Sequence, residues 1–299
     1  MCANRDHINA KYVHLIQEVT MLGERQVDRT GVGTISVFAP ASNFTWDSGD
    51  GTAPVITLKH LNVTAVAKEL AWFIHGHTNI QTLGCGIWDA WARPDGECGP
   101  IYGAQWRGTH GGPDQVRWAL KLIEANPTTR QAVVNSWNPT DISSMVLPPC
   151  HTLYQFKVVQ GRLDLQLYQR SADLGLGVPF NILSYYWLQH LCAAYLGRPP
   201  GVLTIVYGDL HIYNNHEEAL SNLVDTWAGN PWTRYPRDWD NGAPFALTDT
   251  AVELFRRAID RPDTCVADKA REVSDLATAL VAGLGEFTQG PRVKLDVAV

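Results

Sequence analysis

Apolar positions recur with two periods along the chain, and each period predicts one type of element. Before about residue 225, helical spacing occurs in three stretches, of which the last is apolar nearly all round and is predicted to be buried. The helical stretches are residues 7–23, 62–76 and 182–196, and Asn62 is the candidate N-cap of the second. Alternation predicts strands, and the second and third of these form a hairpin around Gly161. The alternating stretches are residues 35–38, 152–159 and 163–169.

The pattern changes after about Asp225. Residues 227–245 combine tryptophans with prolines, which predicts an irregular loop anchored by aromatic side chains. Helical spacing returns over residues 249–260 and 266–283. Residues 293–299 are apolar for a terminus, so we expect them to pack against the protein.

Composition narrows the class of protein. A chain of 299 residues forms one large domain or two small ones, and a net charge of -6 weighs against non-specific nucleic-acid binding. The first residues lack the apolar core of a signal peptide, and no apolar run is long enough to span a membrane. The 6 cysteines include no closely spaced pair, so we expect reduced thiols and a cytoplasmic protein.

Cys150 is the leading candidate for chemistry. It follows two prolines and lies one hairpin away from Arg170, a cation that would lower the pKa of a nearby thiol. This setting indicates a nucleophile. His151 is adjacent, but neighbouring side chains on an extended segment point to opposite faces, which disfavours a cysteine hydrolase dyad.

Two further polar residues each allow two interpretations. Glu69 lies on or beside the apolar face of the second helix. It is either a boundary glutamate with its carboxylate in solvent or a buried carboxylate suited to proton transfer. Asn181 lies at the start of the buried helix. It is either the N-cap of that helix or an amide that recognises a donor–acceptor pair on a ligand.

Three arginines lie in separate segments, and they also allow two interpretations. Each could be an ordinary solvated surface residue, or the three could converge on a phosphate together with Ser171. They are Arg29, Arg130 and Arg170. Alternation places His211 and Tyr213 on one strand face, as ordinary strand residues or as ligands of a hydroxyl group.

One group of zinc-type ligands has a spacing that fits no standard zinc finger, and we predict that the protein holds no metal. The group consists of His75, His77, Cys85 and Cys98.

Ordered motifs over residues 8–220 carry a resemblance to a known family. They are Asp28–Gly31, Glu69–Phe73, Gly76–Asn79, Ile87–Trp91, Gly99–Gly103, Leu147–His151, Gln169–Asp173, Gly175–Asn181 and Gly208–Tyr213. In content and order they closely resemble the folate-dependent thymidylate synthase family. The closing segment, residues 293–299, is also similar to that family's tail.

The resemblance implies an α/β fold in which a large mixed sheet, surrounded by helices, forms the interface of a homodimer. It also implies a single catalytic domain over residues 1–299, with a divergent segment at about 221–285. The implied activity is transfer of a one-carbon unit from 5,10-methylenetetrahydrofolate to C5 of a pyrimidine nucleoside 5'-monophosphate. Neither a membrane nor a nucleic acid is required.

The resemblance also implies roles for individual residues. Cys150 would add to C6 of the base, Glu69 would move protons, Tyr102 would help to remove the C5 proton, and Asn181 would recognise N3–H and O4 of uracil. The implied phosphate ligands are Arg29, Arg170, Ser171 and the other subunit's copy of Arg130. The implied ligands of the 3'-hydroxyl group are His211 and Tyr213. The implied folate-side residues are Lys59, Trp88, Leu147, Asp173 and Val299.

Departures from the family pattern leave the product open. Gln131 stands where an arginine is usual, and His60 and His77 are also atypical. The leading hypothesis is methylation of dUMP, because Asn181 favours uracil and Trp88 with the tail favours folate-dependent reduction. Gln131 and the divergent segment favour a specialised relative, such as a 5-hydroxymethylase acting on dUMP, dCMP or CMP. A remote alternative is a nucleotide-binding relative without turnover.

Overall fold

The structure is a computed structural model that describes residues 7–229, 242–260 and 269–297. Within these ranges the α-helices are α1 (Ile8–Leu22), α2 (Val63–Ile74), α3 (Tyr102–Arg107), α4 (Gln115–Ala125), α5 (Gly177–Tyr195), α6 (Glu217–Gly229), α7 (Asp249–Asp260) and α8 (Lys269–Ala282). The strands are β1 (Glu24–Gln26), β2 (Thr34–Phe38), β3 (Phe44–Asp47), β4 (Thr52–Ala53), β5 (Val133–Asn135), β6 (His151–Val159), β7 (Arg162–Asp173), β8 (Pro200–Tyr213) and β9 (Ala243–Pro244).

A mixed sheet forms the centre of the fold. Its order is β1-β2-β8-β7-β6-β5, and β3 also pairs with β8. The β7–β8 pair is parallel, whereas the other pairs in this sheet are antiparallel. Helices α1 and α5 pack against the sheet, and α2 packs against α5 and α8. The predicted α/β class with a large mixed sheet surrounded by helices is therefore confirmed.

The predicted hairpin of β6 and β7 is confirmed, and β7 is longer than expected. Gln160 and Gly161 form the turn with positive φ angles of 51° and 80°, as a tight hairpin turn requires. The second strand continues four residues beyond 169 to Asp173, because its polar end pairs with β8, with Asp173 opposite His211. A bulge interrupts the β6–β7 register between His151 and Leu153, next to Cys150.

The predicted helices are also present, with one instructive difference. Asn62 caps α2 by accepting a hydrogen bond from the Ala65 N–H, as expected. However, α5 begins at Gly177, five residues before the predicted 182, because Pro179 is tolerated in a first turn where N–H groups have no intrahelical partner. Asn181 therefore lies inside the helix, and the N-cap interpretation is wrong.

The C-terminal part is helical, as expected, over α7 and α8. The start of the predicted irregular loop is wrong, because α6 extends to Gly229. Within the rest of that loop, residues 230–241 lie outside the described residues, and Ala243–Pro244 forms the short strand β9. The first residues of the last predicted helix also lie outside the described residues. After α8 the chain packs onto the segment before α2, where the Gly290 N–H donates to the Thr57 carbonyl at 2.7 Å.

In the described part of the chain, no helix combines the length and the apolarity that a membrane crossing requires.

Candidate active site

A cleft of about 430 Å³ lies beside the carboxyl ends of β7 and β8 and the first turns of α5. Most of the residues singled out in the sequence line it, although they come from segments far apart in the chain. These residues are Arg29, Glu69, Trp88, Tyr102, Leu147, Cys150, Arg170, Ser171, Asp173, Asn181, His211 and Tyr213. Lys59 and Arg130 do not line the cleft, and Val299 lies outside the described residues.

Cys150 is held by its backbone from two sides. Its N–H donates to the Tyr102 hydroxyl at 2.7 Å, and its carbonyl accepts from the Arg170 N–H at 2.9 Å. These contacts connect the segment before β6 to α3 and to β7. The backbone of Cys150 is therefore held in place by α3 and β7.

The electrostatic setting of Cys150 differs from the sequence-based expectation. Burial raises the pKa of the Cys150 thiol, and the opposing effects of Arg170 and of hydrogen bonds with Tyr102 and Ser171 offset only part of this increase. The expected cation is thus present, but desolvation outweighs it. Cys150 is held mainly as a neutral thiol near neutral pH and must lose its proton before or during attack.

Arg170 is anchored by main-chain carbonyls rather than by a carboxylate. Its Nε donates to Pro149 at 2.9 Å, its Nη2 donates to Pro148 at 2.8 Å, and its guanidinium lies 5.0 Å from the centre of the Trp137 ring. This arrangement keeps the full positive charge at the cleft. Together with Arg29 and the Ser171 hydroxyl, it makes this end of the cleft suitable for an anion.

Glu69 projects from α2 into the cleft wall. Burial raises the pKa of Glu69 to about 7, although the hydrogen bond from Trp88 acts in the opposite direction. The indole Nε1 of Trp88 donates to Glu69 Oε1 at 2.8 Å. The structure favours the buried carboxylate over the solvated boundary glutamate, and a pKa near neutrality suits a group that both takes up and releases protons.

Asn181 has a partner that the sequence analysis missed. Gln169 donates from Nε2 to Asn181 Oδ1 at 2.8 Å, and both residues are buried beside the cleft. This contact fixes which way the amide of Asn181 points. One signal was present in the sequence, since Gln169 continues the apolar face of Leu163, Leu165 and Leu167, where a polar side chain requires a partner.

His151 is buried between aromatic rings and is not paired with the neighbouring cysteine. Its ring centre lies 5.0 Å from that of Tyr102 and 5.2 Å from that of Tyr185. Burial lowers the pKa of His151 to about 4, so the ring is neutral at physiological pH. Among the described residues no hydrogen bond joins His151 to the Cys150 thiol, which agrees with its exclusion as a dyad base.

The ends of β7 and β8 contribute the remaining polar groups. His211 Nδ1 lies 2.9 Å from Asp209 Oδ1, which orients the ring, and Tyr213 lines the cleft two residues further on. Asp173 accepts hydrogen bonds from the Gly175 and Leu176 N–H groups at 2.8 and 3.1 Å.

The outer end of the cleft is aromatic and apolar. Trp88 belongs to a cluster with Trp72, Phe73, Trp91 and Tyr102, in which it lies 5.8 Å from the Trp91 ring. Leu147, Phe180 and Val297 complete this wall. Flat apolar walls beside a carboxylate fit an aromatic heterocycle with a few polar groups.

Two predicted ligands do not line this cleft. Lys59 is buried near Asp173, and burial lowers the pKa of Lys59 to about 8, with the Asp173 charge opposing the change. Arg130 is exposed between α4 and β5. In the part of the chain that the structure describes, no group of three or more candidate ligands could hold a metal ion.

The family comparison agrees with this geometry. Residues 10–234 match the family model for thymidylate synthase, so the match includes every cleft residue discussed above except Val297.

Proposed function

Because the chain belongs to the thymidylate synthase family, we propose that it methylates C5 of dUMP with 5,10-methylenetetrahydrofolate as the donor. Members of this family are one-carbon transferases acting on pyrimidine nucleotides, and this chain is one of them. The observation that carries the finer proposal is the sharing of one cleft by Cys150, Glu69 and Asn181, with an aromatic wall beside them.

The polar end of the cleft supports binding of the nucleotide. Arg29, Arg170 and Ser171 would bind the 5'-phosphate. The Asn181 carbonyl, oriented by Gln169, would accept from N3–H of uracil while its NH2 group donates to O4. His211 and Tyr213 would bind the sugar hydroxyl group.

Cys150 would then act as the nucleophile. Its sulfur forms a bond to C6, and the electron pair of the C5–C6 double bond makes C5 nucleophilic. Because burial raises the pKa of the free thiol, attack requires removal of its proton, and Arg170 stabilises the thiolate as it develops.

Proton transfers at the base would involve two further residues. Glu69, with a pKa of about 7, exchanges protons near neutral pH through the cleft. Burial raises the pKa of Tyr102 well above its ordinary value, so its phenol stays neutral. Tyr102 therefore orients a proton acceptor near C5 rather than acting as a phenolate.

The outer wall would hold the folate, which supplies the one-carbon unit and, for methylation, the reducing equivalents. Trp88, Leu147 and Asp173 line this end, and Val297 brings the tail to it. The roles of Lys59 and Val299 on this side stay predictions.

A matched set of incubations tests the product. The protein is supplied with methylenetetrahydrofolate and dUMP, dCMP, UMP or CMP separately, and nucleotide masses and dihydrofolate absorbance are recorded. Methylation of dUMP with stoichiometric dihydrofolate supports the proposal. A hydroxymethyl product with tetrahydrofolate would assign the alternative activity that Gln131 and residues 221–285 favour. Absence of product with all four nucleotides would contradict both.

We also propose a homodimer built through the sheet face opposite α5. Leu153, Tyr168 and Val206 are register partners across β6, β7 and β8, and each is only half-buried. Such an apolar row suits a self-complementary interface. Exposed Arg130 lies outside its own cleft, which fits a contribution to the other subunit's phosphate site.

Mixed dimers test the shared site. Arg130→Ala and Cys150→Ala subunits are each expected to be nearly inactive alone, but the heterodimer contains one site with both native residues. We expect turnover to recover toward one active site per dimer. Absence of recovery after proven subunit exchange would contradict the role of Arg130 in the partner's site.

A further inference from the structure

The chain after α8 crosses the molecule and reaches the cleft. We call residues 286–297 the closing tail. Its middle is seated where the His60 N–H donates to the Pro291 carbonyl at 2.9 Å. A Cβ atom on Gly290 would lie 2.4 Å from the Leu58 carbonyl oxygen, so the close approach requires glycine. Further along, Val297 forms part of the cleft wall.

A buried histidine contacts the far end of the closing tail. His216 is fully buried, and its Nε2 lies 2.8 Å from the Asp296 carbonyl oxygen. The other ring nitrogen, Nδ1, lies 3.7 Å from Asp173 Oδ1. The ring therefore lies between the tail backbone and a carboxylate that lines the cleft.

The neighbouring backbone leaves space for this ring. A Cβ atom on Gly175 would lie 2.4 Å from His216 Nδ1, so a larger residue there would displace the imidazole. The Gly175 N–H also donates to Asp173 Oδ1 at 2.8 Å, which orients the carboxylate that faces the ring.

We propose that His216 is a positioning residue that connects the closing tail to Asp173 and thereby holds the outer wall of the cleft in place. The proposal deepens the proposed function, on which the assignment of this wall to folate rests. The Cys150 chemistry does not involve His216. Its effect is exerted through the Asp296 carbonyl and the Asp173 carboxylate.

The charges around His216 favour this bridging role. Burial alone would lower the pKa of His216, but Asp173 and the Asp296 carbonyl raise it above the ordinary value, against the opposing charge of Lys59. The centre of the Tyr213 ring lies 5.8 Å from the centre of the His216 ring. A protonated imidazole donates from both nitrogens, so it can serve the carbonyl and the carboxylate together.

Two substitutions of His216 distinguish the contact made by Nε2 from the contact made by Nδ1. A glutamine amide nitrogen reaches about as far as Nε2, whereas an asparagine reaches only about as far as Nδ1. We expect His216→Asn to speed amide hydrogen exchange of the closing tail in the ligand-free protein by about 10-fold, the effect of losing one charge-assisted hydrogen bond. The KM for methylenetetrahydrofolate should rise about as much, with unchanged nucleotide affinity, and His216→Gln should restore most of both.

His190→Asn is the matched control, because His190 Nε2 also lies near a backbone carbonyl, that of Ser48 at 3.1 Å, away from the main cleft. It should leave tail exchange unchanged. Equal tail exchange in the parent and His216→Asn, or equal opening by His190→Asn, would overturn the proposal. If His216→Asn does not fold, Gly175→Ala displaces the ring instead and must open the tail. Hydrogen exchange needs no turnover, so a failure of the proposed function would be distinguishable.

Discussion

The two ends of the cleft are built differently. At the inner end, Cys150, Arg170 and Asn181 are held by hydrogen bonds from β7 and α3 and by the carbonyls of the two prolines. At the outer end, Trp88 belongs to an aromatic cluster, and Val297 belongs to a tail held by a few hydrogen bonds between main-chain groups and by the His216 ring.

This difference indicates which end is organised before a ligand arrives. Fixed donors at the inner end need little rearrangement to receive an anion and a base. The outer end depends on a chain segment whose attachments can open, as closing segments in other enzymes do. We therefore expect nucleotide affinity to be insensitive to the tail and folate affinity to depend on it.

Cys150→Ala should produce the largest effect, because it removes the proposed nucleophile and leaves the rest of the inner end intact. Turnover should fall below detection, while nucleotide affinity, measured by calorimetry, changes little. Cys98→Ala, at a buried cysteine outside the cleft, is the control and should keep turnover. Substantial residual turnover in Cys150→Ala would remove the covalent step from the mechanism.

Glu69→Gln tests the proposed proton-transfer group, whose carboxylate accepts a hydrogen bond from Trp88 in the outer wall. A proton-transfer group contributes roughly 10² to 10⁴ in rate, so kcat should fall by that range. The pH profile of the parent should show a limb near pH 7, from the Glu69 pKa of about 7, and the variant should lack it. Retention of this limb in the variant would assign it to another group.

Glu69→Gln should lower the rate but stabilise the folded protein at high pH. The pKa of Glu69 rises from 4.5 to about 7 on folding, so its contribution favours the folded state below pH 4.5 and is lost as the pH rises through 7. Above pH 7 the variant should therefore be more stable by about 3 kcal/mol, with the difference shrinking toward pH 4.5. Urea unfolding at pH 5 and pH 8 measures this.

The sequence predicted the local parts of the molecule better than its long-range contacts. The β6–β7 hairpin, the cap at Asn62 and the bounds of α7 follow from spacing and turn chemistry within short windows. The contact between His216 and Asp296 joins residues 80 positions apart, and no local pattern encodes it.

The site shows the same division. The motifs identified most of the residues that line the cleft, because each motif can be recognised from a few neighbouring residues without knowledge of the fold. The direction of the Cys150 pKa was missed, since it depends on whether burial or Arg170 dominates, and only the folded structure determines this balance. Likewise, nothing local indicates that Lys59 is buried and does not line the cleft.

Asn181→Asp sharpens the account of base recognition at the inner end. A carboxyl group can complement N3 and the 4-amino group of cytosine, and Gln169 can still donate to one of its oxygens. We expect the ratio of kcat/KM for dCMP over dUMP to rise by about 10- to 100-fold, the scale of one or two hydrogen bonds. Asn181→Ala should lower both without this inversion. An unchanged ratio in Asn181→Asp would mean that another residue recognises the base.

Trp88→Phe should have the smallest effect on activity. It tests the hydrogen bond that connects the outer wall to Glu69. Phenylalanine keeps a ring in the aromatic cluster but removes the indole donor to Glu69 Oε1, which lies 2.8 Å away. Because that hydrogen bond lowers the pKa of Glu69, its loss should shift the pH limb to higher pH and raise the KM for folate a few-fold.

Trp91→Phe is the matched control, since Trp91 lines the same wall and its indole nitrogen makes no hydrogen bond within the described residues. It should leave the pH limb in place while it perturbs folate binding. A limb that shifts equally in both variants would show that the wall acts on Glu69 through burial alone. A shift confined to Trp88→Phe would show that one hydrogen bond links the proton-transfer group of the inner end to the outer wall.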